Sequence, residues 1–119
     1  MAGYQDLKVW QVGVDLSVQI YRVTKDFPKE ELYGLTSQIR RAGISIPSNI
    51  AEGHARKSQK ELSRFLDIAK GSLAEVETQL IIARRLGYLD QAKTDELLHI
   101  ADQESRMISG LLNSIKRQP

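Results

Sequence analysis

The side chains with the clearest capacity for chemistry lie in one run of the sequence. Arg41, Ser45, Ser48 and Glu52 recur at spacings of three and four, with Asn49 at their edge, so on a helix they form one polar stripe. A serine there would act as a nucleophile only beside a base, and no histidine stands at a helical spacing from Ser45 or Ser48. The stripe could line a small groove. As structure, Arg41 and Glu52 would reach neighbouring helices or subunits, while Ser45 and Asn49 answer carbonyls that Pro47 leaves without a donor. His54 and His99 have no second histidine at ligand spacing, and Asp95, four residues before His99, reads as an ordinary surface contact. Glu104 falls between Ala101 and Ile108 in an apolar stripe, where a lone carboxylate is costly; a buried pair with Arg41, or a rotation toward water, would relieve it. Glu75 and Glu77, two apart, cannot share a helix face and read as surface or inter-subunit charges. The absence of cysteine removes thiolate zinc sites, iron–sulfur clusters, disulfides and cysteine nucleophiles together. These residues predict no catalytic site, no metal and no cofactor.

The elements that would position them are helices. In a chain of 119 residues with 41% hydrophobic and 27% charged side chains, composition is that of a globular domain able to bury a core without staples. The amino terminus lacks a signal-peptide pattern and no apolar run approaches a membrane span, which predicts a soluble, cytoplasmic chain. Val9, Val12, Leu16, Ile20, Val23 and Phe27 step by three and four, predicting a helix over residues 7–25 with Asp6 as N-cap. A second helix over 29–53 starts behind Pro28 and carries Leu32, Leu35, Ile39, Ala42, Ile46 and Ile50. Pro47 inside it predicts a kink, or a break into two short helices. Ser58 and Glu61 have the spacing of a capping box and open a third helix, 58–86, with Gly87 beyond its end. Gly71-Ser72 within it predicts a close helix approach. Asp90 caps a fourth, 90–117. Four amphipathic helices with short connections predict an all-α, antiparallel up-down-up-down four-helix bundle spanning 1–119 as one domain.

Two surface features go beyond that frame. Trp10, Val14, Val18 and Tyr21 form a second apolar stripe on the first helix, either because it packs against both neighbouring helices or because it meets another subunit, where tryptophan and tyrosine are enriched. Charge is also divided by pole. Residues 1–14, 48–66 and 105–119, which share one end of such a bundle, carry eight basic against three acidic side chains, a local +5 within a net charge of +2. Arg56, Lys57, Lys60, Arg64, Lys116 and Arg117 are candidates to contact a phosphate backbone, or they are simply solvated charges. No aromatic residue interleaves the cluster around His54 to Lys60, so base stacking and sequence readout are not predicted.

Several runs are more specific than amphipathic patterning requires. They are Phe27-Pro28, the stretch from Tyr33 to Ala42, Ser45-Ile46-Pro47-Ser48-Asn49-Ile50-Ala51-Glu52-Gly53, and the stretch from Ile68 to Glu75. Together they resemble the four-helix-bundle proteins encoded in intervening sequences of bacterial 23S ribosomal RNA genes, also labelled ribosomal protein S23. The resemblance spans nearly the whole chain, from Leu7 to Leu112. It implies a bundle that keeps the proline-containing helix inside, and assembly, since related accessory proteins of diversity-generating retroelements form pentameric barrels that bind nucleic acid and a reverse transcriptase. The resulting expectation is a non-enzymatic homo-oligomer, a pentamer by resemblance, binding RNA or an RNA–DNA hybrid. The alternative is a scaffold that recruits a partner protein and no nucleic acid.

Overall fold

The computed structural model describes residues 3–117. Its main elements are α1 (Lys8–Thr24), α2 (Leu35–Ala55), α3 (Gln59–Arg85) and α4 (Gln91–Lys116), a four-helix bundle with no strand among the described residues. Gly13 lies against Pro47 whereas Gly43 lies against Ser17 and Ile20, so α1 and α2 run in opposite directions. Ser45 meets Ser72 and Gly53 meets Phe65, which sets α3 against α2 in the same way. Glu104 abuts Gly13, and Leu7 and Val9 share a groove with Met107 and Leu111, so α4 closes on α1. The enclosed core is aliphatic: Leu16 and Ile20 of α1, Ile39 and Ile46 of α2, Leu73 and Leu80 of α3, and Leu97 and Ile108 of α4 are fully buried. No helix of the described residues is long and apolar enough to cross a membrane.

Helix ends follow local chemistry with some departures. Asp90 Oδ1 accepts the Lys93 N–H at 2.7 Å as predicted, whereas only half of the capping box forms: Ser58 Oγ accepts the Glu61 N–H at 3.3 Å, but the Glu61 carboxylate turns to Arg64 and not back to the Ser58 N–H. Gly87 has φ +80° after α3, and the N–H groups of Gly87 and Tyr88 donate to the carbonyls of Arg84 and Ala83, a Schellman closure. Asp6, by contrast, does not cap α1. It ends a short 3-10 turn, Tyr4–Asp6, and Leu7 holds the N-cap position without a side-chain bond. The second helix also starts later than 29: Lys29–Glu31 is a separate 3-10 turn, and Glu31 Oε1 accepts the Leu35 N–H at 3.2 Å, capping α2 from four residues upstream.

Pro47 does not split α2, which runs uninterrupted from Leu35 to Ala55. The ring is buried, and a Cβ at Gly13 would lie 3.4 Å from the proline Cβ, so α1 approaches through a residue with no side chain. The predicted compensation takes another form. Asn49 Nδ2 donates to the carbonyl and hydroxyl oxygens of Ser45, at 2.7 and 2.8 Å, and not to the carbonyl of Gly43 that the proline leaves short.

Candidate nucleic-acid interface

Three chain segments bring charge to one end of the 49 Å bundle: the start of α1, the tight turn between α2 and α3, and the end of α4. The turn can be short because a Cβ at Gly53 would stand 2.8 Å from that of Phe65, so the two helices approach closely just before they are joined. Lys57 makes the reversal with φ 55°, the left-handed conformation that favours glycine. Beside it is a cleft of about 280 Å³ lined by Gly53, His54, Lys57, Ser58, Gln59 and Leu62, at the amino-terminal, partially positive end of α3.

The six basic candidates are not equivalent. Arg56 pairs with Glu52 at 3.0 Å, and Arg64 grips both carboxylate oxygens of Glu61 at 3.2 and 3.3 Å. That bond lowers the carboxyl pKa of Glu61 and raises that of the Arg64 guanidinium. Both guanidinium groups also lie over the buried Phe65 ring, at 5.4 and 4.5 Å, so they cover the end of the core. Among the described residues, Lys57, Lys60, Lys116 and Arg117 have no carboxylate within ion-pair distance, and Lys8 joins them at the start of α1. These five exposed cations are the free positive charge of the pole.

The polar stripe of α2 is divided between interior and surface. Ser45 Oγ and Ser72 Oγ are 2.8 Å apart, bridging α2 to α3, and Glu52 is held by Arg56 on its own helix. Arg41 does not reach Glu104. It is exposed on the lip of a groove with Gln38, Ser45, Glu75 and Gln79. Glu104 neither pairs nor rotates to water: it is fully buried on α4, neither carboxylate oxygen has a partner, and burial pushes its pKa up to about 8. A buried neutral acid without solvent access has no path to a substrate. Asp95 accepts a hydrogen bond from Gln91 Nε2 at 2.7 Å in place of the expected contact with His99, and no three acidic or histidine residues group as a metal site among the described residues.

The stripe on α1 is also divided. Tyr4 sets its ring edge-on to Trp10 at 5.3 Å, so the amino-terminal turn half-buries the tryptophan, and Val14 is half-buried beside it. Val18 and Tyr21 remain 42% and 39% exposed. Sequence reasoning missed Arg40, whose guanidinium lies 4.6 Å over the Tyr21 ring while its Nε donates to Thr24 Oγ1 at 2.8 Å. Its three-residue offset from Ser37 and Gly43 carries no motif that would single it out.

Fold and surface define a small helical bundle with one cationic end and no assembled catalytic constellation among the described residues. The profile of the 23S rRNA-intervening sequence protein family matches residues 5–110, and the chain belongs to that family. A crystal structure of a protein of unknown function from the S23 ribosomal protein family of Bacteroides thetaiotaomicron VPI-5482 is similar, with a TM-score of 0.79 at 20% sequence identity, over 87% of this chain and 97% of that one. At that identity the likeness establishes the fold. No curated protein matches the chain.

Proposed function

We propose that this chain is a non-enzymatic, self-associating cytoplasmic accessory protein that holds the backbone of RNA or another nucleic acid against its basic pole, without sequence preference. The observation that carries this reading is the convergence of Lys8, Lys57, Lys60, Lys116 and Arg117, all exposed and without an ion-pair partner among the described residues, from three separate chain segments. Phosphate contacts need such free cations, whereas Arg56 and Arg64 first have to leave Glu52 and Glu61. Family membership supports RNA as the ligand to test first, and resemblance favours a pentamer as the order of assembly. One phosphate per free cation gives a log affinity that falls against log salt with a slope of about −4. Fluorescence anisotropy with a labelled RNA between low and physiological salt measures it. Lys57→Glu with Lys60→Glu and Lys116→Glu should abolish binding; no binding at low salt, or binding indifferent to these substitutions, overturns the reading.

A protein-recruiting scaffold is the second reading, favoured by the opposite end of the bundle. There Tyr33 is 93% exposed and Leu32 48% exposed, large hydrophobic side chains open to solvent among the described residues. Retention of a partner protein that Tyr33→Ser abolishes, with no RNA bound, would support it.

A further inference from the structure

The outward face of α3 contains an unexplained defect. Ile68, Gly71, Glu75, Ile82 and Leu86 fall within a sector of about 60° on the helix. Ile68, Ile82 and Leu86 are 41%, 43% and 54% exposed. A glycine in mid-helix costs about 1 kcal/mol relative to alanine. Gly13, Gly43 and Gly53 each have a neighbour that a Cβ would strike, at 2.7, 2.9 and 2.8 Å, but a Cβ at Gly71 would meet nothing within 4 Å. The close approach predicted at Gly71 is therefore not made by its own chain. The notch opens outward, in an apolar stripe.

Contacts across α2 give the heights of the two stripes. Gly13 lies against Pro47 and Ser45 bonds Ser72, and the two α2 residues differ by about 3 Å along the axis. Since α1 and α3 both rise from the basic pole, Val14 stands at the level of Gly71, and Val18 at the level of Glu75. The stripes flank α2 on its two sides: Tyr21 touches Arg40 of α2, and Glu75 shares a groove with Arg41 of α2. Charge matches as well. Glu75 has no ion-pair partner among the described residues, and Arg22 and Arg40 border the α1 stripe within about one turn of its height.

Resting on the self-association proposed above, we infer that the joint between copies is heterologous: the Val14–Val18–Tyr21 stripe of one copy packs on the Ile68–Gly71–Ile82 stripe of the next. Rotational symmetry about an axis parallel to the bundle pairs residues of equal height, so Val14 enters the notch at Gly71 and Arg40 approaches Glu75. Pairing α1 with α1 would leave both the notch and the α3 stripe uncovered. In the heterologous ring every basic pole faces the same side, and α2, lying between the two joints, turns Arg41, Ser48 and Glu52 toward the axis.

Sedimentation velocity on paired variants tests the joint. Val18→Glu disables one face and Ile82→Glu the other, so each alone should sediment as a monomer, and their equimolar mixture should form a one-to-one dimer of twice the 13.4 kDa chain mass. Gly71→Gln fills the notch while improving helix propensity, so its loss of assembly, with helical circular dichroism intact, cannot be unfolding. An Ile82→Glu variant that assembles like wild type, a mixture that stays monomeric, or unchanged assembly of Gly71→Gln overturns the heterologous joint but leaves self-association standing. A monomeric wild type overturns self-association itself.

Discussion

Glu104→Gln should make this bundle more stable at alkaline pH, and by an amount that depends on pH in a defined way. In an unfolded chain the carboxyl ionises near 4.5; in the bundle burial pushes its pKa up to about 8, with no partner for either oxygen. Below pH 4.5 both states hold the proton and the carboxyl adds no pH-dependent penalty. Above it the unfolded chain loses a proton that the folded chain keeps, so stability falls as pH rises, until it levels once pH passes about 8. At roughly 1.4 kcal/mol per unit, the gap of about 3.5 units corresponds to ~5 kcal/mol at pH 9, ~3 kcal/mol at pH 7 and under ~1 kcal/mol at pH 5. Small domains have only about 5–15 kcal/mol in total, so the effect is measurable. Glutamine keeps the shape and cannot ionise. Urea unfolding of both proteins at pH 5, 7 and 9 isolates Glu104, because the other titrating groups cancel in the difference. A difference that stays flat with pH to within about 0.5 kcal/mol would refute the reasoning and mean that water or a donor reaches the carboxylate.

Gly13→Ala should destabilise by about 1–3 kcal/mol, since the new Cβ would stand 2.7 Å from Glu104 Oε2 and 3.4 Å from Pro47. In a Glu104→Ala background part of that cost should vanish, a coupling that a double-mutant cycle in urea measures. Lys57→Gly should raise the melting temperature, by up to about 1 kcal/mol of relieved left-handed strain, while weakening RNA retention. Opposite signs in the two assays would separate a functional cation from a structural one.

Much of the helical frame was legible because it depends on short-range chemistry. Ser58, Asp90 and Gly87 act within four residues of themselves, so their spacing already states what they do. The departures have different origins. Asp6 looked like a cap because its type and position suit one, but the chain first makes a 3-10 turn that places Tyr4 on Trp10. Pro47 was expected to kink or break the helix; α2 does not break there, and the residue that admits its ring, Gly13, stands thirty-four positions away. The basic cluster was visible as composition; which of its members are free was not, since Glu52 and Glu61 could as readily have faced elsewhere.

Amphipathic period, capping residues and the absence of cysteine were enough to determine an all-α bundle with one positive end, because each is a property of residues three or four apart or of the composition as a whole. Only the tertiary structure decided that Glu104 is alone, that Arg41 faces outward, and that Gly71 opens on empty space. Those outcomes depend on the rotation and height of one helix against another, which packing of side chains distant in sequence sets and no single helix encodes.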